Sequence, residues 1–555
     1  MFRLVNEVMA RDFVRRGLVL VNHVSNTSGH GGRLWATAKN GPGPILHFTL
    51  PKYHEENPMQ QSPESDTATA ILDDRPVRGA SVPMRKRAQN SECTEAAAVQ
   101  HQVSEHFGSR PARGSFGAAR LLVVSTCILV FLSGPGCGKS STSPVATSLT
   151  LIDSSWIVDK ESLGRLNEEL RRFTNWSGIP VRVLPAPEPA VEQLATWRTL
   201  LESGERVPDV YAIDVIWPGI LANALLDLKS YIPAPEIAAH FPELIANNTV
   251  NGRLVALPYC TNAGLLFYRV DLLRKYRYRA PPKTWEELQA MAARIQSGER
   301  GKGQADFWGY VWQGASSEAL TCNALEWQVS EGGGTIIENG RVTLDNPQTV
   351  HAWERAAGWV GSISPPGVVA YKEWDAFNIW QAGQAAFMRN WTNAYVAASA
   401  PGSPTRGRFA IAPLPGGRTA STATLGGNGY GVSRHSRHPR EAVMLVRFLC
   451  GREEQRKRCL NPAQPPTIPD LYNDPQVLAA NPYFSAVLEI YRKGLTLRPS
   501  TATGKVYPEI SRAYSEAVHA VLTGKKTAAG AAAGLQGKLS QMTGLKSAVR
   551  AEGAR

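Results

Sequence analysis

One short segment, Val207-Pro-Asp-Val-Tyr-Ala-Ile-Asp214, decides the fold class together with the residues on either side of it. Its β-branched and aromatic residues predict a buried strand that ends at Asp214. Two earlier runs, Ser148–Ile152 and Ile179–Leu184, have the same composition and also predict strands. Three such runs, each bounded by polar or Gly and Pro residues, indicate a sheet rather than an isolated hairpin.

Helices are predicted between these strands. Leu163, Leu166, Leu170 and Phe173 recur at helical spacing, with charged residues between them, and therefore predict an amphipathic helix. A second helix is predicted around Val191–Leu201. Strands that alternate with helices are typical of βαβ units, so we expect an α/β fold with a largely parallel sheet.

Polar and aromatic residues follow the predicted strands directly. Asp153 and Trp156 come after the first strand, and Asp214 and Trp217 come after the third. In open α/β sheets ligands bind beyond the carboxyl ends of the strands. These four residues therefore predict a ligand cleft at that edge of the sheet.

The composition excludes several classes of protein. The chain has 555 residues, of which 43% are hydrophobic and 19% charged, so wholesale disorder is excluded. The net charge of +13 is spread along the chain, and no basic helix is interleaved with aromatic residues, so no nucleic-acid partner is predicted. No apolar stretch reaches the roughly 18–20 residues that span a bilayer, which excludes a polytopic membrane protein.

A short apolar run, residues 121–132, has the surroundings of a secretory signal. It follows a tract that carries Arg110, Arg113 and Arg120, and it precedes Ser133-Gly-Pro-Gly136 and then Cys137. A cationic flank, a short apolar run and small residues are typical of such a signal. The order resembles a bacterial lipoprotein signal. We therefore expect a signal segment at 120–137 with lipid attachment at Cys137; plain secretion and a buried strand are the alternatives.

The residues around this signal predict no nucleotide site and no further domain. Ser133-Gly-Pro-Gly-Cys-Gly-Lys-Ser140 is similar to a phosphate-binding loop, but Ser133 replaces its first Gly and no good helix follows. Residues 1–119 show no sustained helical or strand period. We expect them to be a disordered extension or a stretch assigned upstream of the true translation start, and 138–147 to be a polar linker.

Several phrases in the remaining chain stand in an order that resembles a known family. They are Ala212-Ile-Asp-Val-Ile-Trp-Pro-Gly219, Val250-Asn-Gly-Arg-Leu-Val-Ala-Leu-Pro-Tyr259, Asn262-Ala-Gly-Leu-Leu-Phe-Tyr-Arg269, Tyr310-Val-Trp-Gln-Gly314, Gln381-Ala-Gly-Gln-Ala-Ala-Phe-Met-Arg-Asn-Trp391 and Thr424-Leu-Gly-Gly427. Residues 148–545 resemble the extracellular solute-binding proteins of ABC importers, and among them the sugar-binding family that includes trehalose/maltose-binding proteins.

The resemblance implies an α/β, two-lobed periplasmic-binding-protein fold of type II-like topology, with a ligand cleft between the lobes. Its lobes would be interleaved in sequence, with crossings near 258–264 and 424–430, and 546–555 would be a tail. The implied function is the capture of a di- or oligosaccharide outside the cytoplasm by hinge closure, and its delivery to the permease subunits of an ABC importer. We expect a monomer in the periplasm or on the cell surface, without a cofactor, a metal site or a catalytic activity. A different solute and a sensor-coupled receptor are the alternatives, and a glycoside hydrolase is the least favoured.

Carboxylates, amides and aromatic rings are the groups that bind a neutral sugar, because they pair with its hydroxyls and cover its C–H face. By resemblance, the predicted ligand-binding residues are Trp156, Asp214, Trp217, Tyr259, Asn262, Glu318, Trp391, Gly427, Asn428, Tyr430 and Arg498. Two of them depart from the family pattern. Asn428 replaces a stacking Trp, for which Tyr430 is a candidate substitute, and Asn262 replaces an Asp. These departures suggest a ligand other than trehalose or maltose.

Seven cysteines are present, of which Cys260, Cys322, Cys450 and Cys459 follow the signal segment and Cys137. Four cysteines in an oxidising compartment allow three pairings. Cys450 and Cys459 are close enough in sequence to form a disulfide if a helix breaks at Gly451. Buried free thiols are expected for Cys260 and Cys322. No Cys and His spacing predicts zinc.

Overall fold

In this computed structural model the described residues are 147–153, 160–186, 190–461 and 464–548, together with the backbone of three strands nearer the N-terminus. The chain divides into two compact units, Met1–Leu132 and Ser133–Arg555. In the first unit, three strands form an antiparallel sheet in the order β1-β2-β3. The predicted extension at 1–119 contains these strands. The predicted signal segment, Cys137 and nearly all of the predicted linker lie outside the described residues.

The strands are numbered in chain order. They are β1 (Arg33–Thr37), β2 (Ile45–Leu50), β3 (Asp66–Ile71), β4 (Leu149–Ile152), β5 (Val181–Leu184), β6 (Val210–Asp214), β7 (Thr249–Val250), β8 (Arg253–Leu254), β9 (Leu257–Ala263), β10 (Leu265–Arg269), β11 (Trp308–Val311), β12 (Ile337–Glu338), β13 (Arg341–Val342), β14 (Ala385–Asn390), β15 (Phe409–Ala412), β16 (Ala423–Val432), β17 (Leu495–Thr496) and β18 (Lys546–Ser547).

The helices are numbered in the same way. They are α1 (Lys160–Ser177), α2 (Ala190–Glu202), α3 (Pro218–Leu221), α4 (Ala234–Ala238), α5 (Pro242–Asn247), α6 (Val270–Lys275), α7 (Trp285–Arg300), α8 (Glu318–Ser330), α9 (Pro347–Trp359), α10 (Glu373–Gln381), α11 (Asn393–Ser399), α12 (Pro439–Cys450), α13 (Arg452–Arg458), α14 (Pro475–Ala480), α15 (Phe484–Lys493), α16 (Ser500–Thr503), α17 (Tyr507–Leu522) and α18 (Ala528–Thr543). Short 3-10 helices lie at Ala222–Ala224, Leu228–Ser230, Pro366–Ala370, Pro469–Asn473 and Gly504–Val506.

Lobe 1 is built on the sheet β17-β16-β6-β4-β5, with β9 paired to β16 as well. Strands β4, β5 and β6 are parallel to one another, and the helices α1 and α2 connect them. Val210 and Ala212 of β6 pack on one face with α1 and α12, whereas Tyr211 and Ile213 pack on the other face with α2. A strand buried on both faces explains the uninterrupted apolar run in this segment. The predicted α/β fold class and its parallel βαβ units are confirmed.

Lobe 2 is built on the sheet β11-β14-β10-β15. β11 and β14 are parallel, and β10 runs antiparallel to both β14 and β15. The helices α7, α8, α9, α17 and α18 contribute residues to the core on one face of this sheet. Trp312, Trp327 and Trp359 form an edge-to-face chain in that core, with ring centroids 5.0 and 5.7 Å apart. Such pairs add stabilisation beyond that of the buried area.

The chain passes from one lobe to the other at two places. β9 ends at Ala263 in the lobe 1 sheet, and β10 begins at Leu265 in the lobe 2 sheet, with Gly264 between them. The chain returns between β15 of lobe 2 and β16 of lobe 1. The two passages are adjacent, because β9 pairs antiparallel with β16, with Asn262 opposite Gly426 and Thr261 opposite Gly427.

Several local predictions can be checked directly. The sequence Thr284-Trp-Glu-Glu287 predicts a capping box at the start of a helix, and Glu287 N–H donates to Thr284 Oγ1 over 3.1 Å, so this cap of α7 is confirmed. The Asn339-Gly340 turn joins β12 to β13 with φ values of 49° and 70°, as expected of a tight hairpin. The prediction for the first turn of α1 was wrong in one residue, since Leu163 is exposed. α1 covers the sheet only from Leu166 onward.

The cysteines after the signal segment are free and buried. The considered disulfide between Cys450 and Cys459 is therefore not formed. Gly451 does end α12 as anticipated, but α13 starts at once at Arg452. The Cys450 thiol then donates to the Leu257 carbonyl, while the Cys459 thiol donates to that of Gln464. The two thiols thus have different partners.

Gly427 is predicted to be indispensable for pairing β9 with β16. Its φ is +116°, and an added Cβ would lie 2.4 Å from the Cys260 carbonyl oxygen. Gly427→Ala should lower the free energy of unfolding by about 1–3 kcal/mol or more in urea denaturation. Gly537→Ala is the matched control, because Gly537 lies in α18 with nothing within 4 Å of the added Cβ, and it should be neutral or stabilising by about 0.5–1 kcal/mol. Equal stability of Gly427→Ala and the wild type would contradict the prediction.

Candidate functional site

A cavity of about 590 Å³ is lined by residues of both lobes and of both crossing segments. The turn after β6 and the helix α2 contribute from lobe 1, whereas the starts of α8, α10 and α17 and the end of β14 contribute from the other side. Asn262 of β9 and Gly426 and Gly427 of β16 complete the lining. The cavity therefore lies at the carboxyl end of β6, where the sequence predicts a cleft.

Asp214 and Trp217 form part of the lobe 1 wall. Asp214 ends β6, and its Oδ1 accepts from Ile216 N–H over 3.1 Å. Burial raises the pKa of Asp214 above its ordinary value, and the positive charge of Arg498 and the Ile216 N–H oppose this shift. Trp217 is only 4% exposed, because its ring packs edge-on against Trp197 at 6.1 Å. Trp217 thus shapes the wall, and Asp214 brings an acceptor to the cavity.

Glu318 and Arg498 line the cavity but already bind each other. Arg498 Nη1 donates to Glu318 Oε1 over 2.8 Å, and Arg498 Nη2 donates to the Leu425 carbonyl over 2.8 Å. Glu318 also accepts from the Tyr507 hydroxyl and from Ser511 Oγ, the latter over 2.5 Å. This network therefore connects β16 with the starts of α8 and α17, and Glu318 has three donors without any ligand.

Trp391 follows β14 and presents a half-buried indole to the cavity. The guanidinium carbon of Arg389 lies 4.1 Å from the ring centroid, a distance typical of a cation–π contact. A Cβ on Gly426 would come within 3.1 Å of the ring. Trp391 is therefore in contact with a cation and with the backbone of β16.

Asn262 ties a crossing segment to the residue after Trp391. Its Oδ1 accepts from Thr392 N–H over 2.8 Å, from Thr392 Oγ1 over 2.5 Å and from Ala263 N–H over 3.0 Å. An Asp in this position would offer the same acceptor. In this chain the second side-chain atom is instead an amide nitrogen, a donor, in a residue that lines the cavity.

Three predicted site residues do not line the cavity. Tyr430 is 1% exposed and its hydroxyl donates to Asp153 over 2.5 Å. The side chain of Asn428 contacts the neighbouring strand β9, where its Oδ1 accepts from the Cys260 thiol. Tyr259 lies under the Arg458 guanidinium at 3.8 Å and donates to Glu169. Tyr430 and Tyr259 pack in the lobe 1 core with residues of α1 and α12, and none of the three residues lines the cavity. The substitution of Tyr430 for the stacking Trp is therefore not supported, and Trp156 lies outside the described residues.

Sequence reasoning missed other lining residues. Glu373 begins α10, and its carboxylate has no hydrogen-bond or ion-pair partner among the described residues. Ser317, Asn393 and Tyr507 also line the cavity. Each stands at or next to the first residue of a helix, a position where polar residues are common as caps. Helix starts were therefore the available signal, but they do not distinguish a cap from a ligand contact.

The arrangement suits the binding of a neutral polyhydroxylated molecule. Asp214 and Glu373 supply acceptors on opposite lobes, Asn262 supplies an amide, and Trp391 supplies an aromatic surface. Among the described residues no group of three or more His, Cys, Asp and Glu side chains is arranged to hold a metal ion. None of the helices in that part of the chain is long and apolar enough to cross a membrane.

Comparisons with known proteins agree with this geometry. The family described as "Bacterial extracellular solute-binding protein" matches residues 170–485. A "Probable ABC transporter-binding protein" of Deinococcus radiodurans is 44% identical over 392 residues, which cover 69% of this chain and 92% of the relative.

Solved structures share the fold. The maltose-bound MalE3 protein of T. maritima is 35% identical, with a TM-score of 0.64 over 72% of this chain and 100% of that one. A tagatose-bound solute-binding protein of an ABC transporter from Thermotoga lettingae shares the fold at 21% identity and a TM-score of 0.62, over the same shares of the two chains. The fold is thus that of the two-lobed sugar-binding proteins, and the chain belongs to the family of bacterial extracellular solute-binding proteins.

Proposed function

We propose that this protein is the substrate-binding component of an ABC importer and that it captures a di- or oligosaccharide, which it releases unaltered to a membrane permease. The observation that carries the proposal is the cavity between the lobes, which has an indole on its wall and, from each side, a carboxylate without an ion-pair partner among the described residues. The relative from Deinococcus radiodurans and the maltose-bound structure support the transporter role and the sugar class, respectively.

The ligand itself would join the two lobes. Asp214 is at the end of β6 in lobe 1, whereas Glu373 begins a helix of lobe 2. A molecule that hydrogen-bonds to both is bound best when the lobes are close, so it shifts the population toward the closed form by its difference in affinity for the two forms. The permease would then recognise the closed form. Lipid attachment at Cys137 would keep the protein at the membrane outside the cytoplasm.

Glu318 is not available as a catalytic carboxylate for glycoside hydrolysis. That reaction requires two carboxyl groups on either side of the scissile bond, one of which donates a proton. Glu318, which lines the cavity together with Asp214, is bound by Arg498, Tyr507 and Ser511. A carboxylate with three donors is not available to protonate a leaving group. The proposed function is binding without chemistry, and recovery of the unaltered sugar distinguishes it from hydrolysis by Asp214 and Glu373, the carboxylates that face the cavity from opposite lobes.

A thermal-shift screen of the full chain against mono-, di- and oligosaccharides tests the proposal. At least one sugar should raise the midpoint of unfolding in a concentration-dependent manner, and calorimetry should give one site. Chromatography of the recovered ligand should show the sugar unchanged. Turnover of the sugar, or the absence of any shift across the panel, would contradict the proposed function.

Trp391→Ala should weaken the binding of that sugar by about 1–3 kcal/mol, because a large aromatic contact is lost. Trp374→Ala is the matched control, since Trp374 is 55% exposed and does not line the cavity. Calorimetry on both variants measures the difference. Comparable losses in the two variants, or an unchanged affinity of a folded Trp391→Ala protein, would remove Trp391 from the site.

Asp214→Asn should stabilise the ligand-free protein and weaken sugar binding. Because burial raises the pKa of Asp214 in the folded state, the ionised carboxylate costs stability at pH values above that pKa, and the cost disappears as the pH falls below the ordinary pKa of about 3.9. Asn keeps an oxygen for the Ile216 N–H. Urea denaturation should therefore show a more stable variant at pH 7 and no gain near pH 3.5.

The same variant should lose about 1.5–3 kcal/mol of sugar affinity, as expected for a hydrogen bond to a charged acceptor. Calorimetry at pH 7 measures this loss. A variant that is less stable than the wild type at pH 7, or that binds the sugar equally well, would contradict the assigned role of Asp214.

A further inference from the structure

A buried ion pair lies behind the cavity wall without reaching the cavity. Arg389 donates from Nε to Glu326 Oε2 over 3.0 Å and from Nη2 to Glu326 Oε1 over 2.6 Å. The two side chains are 0% and 1% exposed, and neither lines the cavity. Such a bidentate pair, with two parallel hydrogen bonds, fixes the plane of the guanidinium. The Gln313 amide oxygen, at 3.3 Å from Arg389 Nη1, adds a further restraint.

The pair contacts both segments in which the chain passes between the lobes. Glu326 Oε1 accepts from the backbone N–H of Thr424 in β16 over 3.0 Å. On the other segment, a Cβ added to Gly264 would lie 2.1 Å from Glu326 Oε1 and 2.7 Å from Arg389 Nη2. The backbone between β9 and β10 therefore packs directly on the ion pair. A side chain at residue 264 would separate them.

The third contact of the ion pair is with Trp391, the aromatic residue of the cavity wall. The guanidinium of Arg389 lies over the Trp391 ring at 4.1 Å. The Arg389 guanidinium thus orients the Trp391 indole. Glu326 in turn orients the guanidinium, and Glu326 is hydrogen-bonded to Thr424 of β16. An apolar pair of similar volume would fill this space at comparable stability, but it would neither accept from Thr424 nor direct a cation onto the indole.

We propose that Glu326 and Arg389 are positioning residues, which set the affinity for the ligand by fixing Trp391 relative to both crossing segments. This inference rests on the proposed function, because it takes Trp391 as a ligand contact. Ligand that packs on Trp391 acts on the crossing segments through the ion pair. Conversely, a change in the crossing segments moves the indole.

Arg389→Lys tests the proposal while keeping a cation opposite Glu326. Lys cannot form two parallel hydrogen bonds to Glu326, and it has no planar group to stack on the Trp391 ring. The affinity for the sugar found in the thermal-shift screen should therefore fall about tenfold. A change of this size is usual for residues that are directly coupled. Arg300→Lys is the matched control, since Arg300 covers the half-buried Trp308 at 4.3 Å, and neither of these residues lines the cavity. Its affinity should be unchanged.

A double-mutant cycle distinguishes positioning from a general loss of structure. In a Trp391→Ala background, Arg389→Lys should cause no further loss of affinity, because the ring through which it acts is absent. An additive tenfold loss in that background would overturn the proposal, as would an unchanged affinity in the single variant. If Arg389→Lys does not fold, Glu326→Asp, which keeps the charge and shortens the reach, is measured in the same cycle.

A ligand-free measurement separates this inference from the proposed function. In protein labelled with 5-fluorotryptophan, the ¹⁹F resonance of Trp391 is identified by its loss in Trp391→Phe. Arg389→Lys should shift or broaden that resonance, and Arg300→Lys should leave it unchanged. An unaffected Trp391 resonance would overturn the positioning role even if sugars bind. If no sugar binds to the wild type, the proposed function fails, while the resonance still decides whether the pair positions the indole.

Discussion

The antiparallel pairing of β9 with β16 is the constraint on which the rest of the structure depends. It joins the two segments in which the chain passes between the lobes, so both lobes extend from a single pair of hydrogen-bonded strands. The pairing requires the backbones to come close at Gly427, and packing on the ion pair requires the same at Gly264. Two adjacent crossings define one axis for the hinge closure that is proposed above.

The cavity residues derive their positions from this pairing. Asn262 and Gly426 are opposite each other on the two strands, and the first binds Thr392 while the second lies against Trp391. The aromatic wall, which directly follows β14 of lobe 2, is therefore also attached to both crossing segments. A ligand that contacts this wall acts close to the axis of closure, where small displacements are amplified at the far ends of the lobes.

The polar groups of the cavity fall into two sets with different roles. Glu318, Arg498, Tyr507 and Ser511 satisfy one another, and so they stabilise the arrangement of α8 and α17. Asp214 and Glu373 lack a cation within ion-pair distance in the described part of the chain, and so they are free to accept from hydroxyls. Burial raises the pKa of Asp214, so its ionised form would cost stability in the ligand-free protein.

Much of the fold could be predicted because its signals are local. The strand at Val210–Asp214, the α7 cap at Thr284 and the Asn339-Gly340 turn each depend on neighbouring residues in the chain. The site was harder to predict. Asp214, Trp217 and Trp391 lie at or just after the ends of strands, and their placement could be anticipated. The burial of Tyr430 and Asn428 depends instead on how β16 packs within lobe 1.

Ion pairs between residues that are far apart in the sequence cannot be recognised from the neighbouring residues of either partner. Glu326 and Arg389 are 63 residues apart, and Glu318 and Arg498 are 180 apart. Charged residues in a helix or at a strand end are usually solvated, so neither pair could be recognised before the elements were packed together. For the same reason Glu373, whose carboxylate has no partner in the part of the chain that the structure describes, could not be distinguished from an ordinary residue of a helix start.

Förster transfer between labels on the two lobes tests the central claim most directly. Glu205 in lobe 1 and Lys525 in lobe 2 are exposed positions at which dyes can be attached. The account predicts that a bound sugar changes the transfer efficiency with a midpoint equal to its calorimetric Kd, and that the sugar is recovered intact. A transfer efficiency that stays constant at saturating sugar would contradict capture by closure of two hinged lobes.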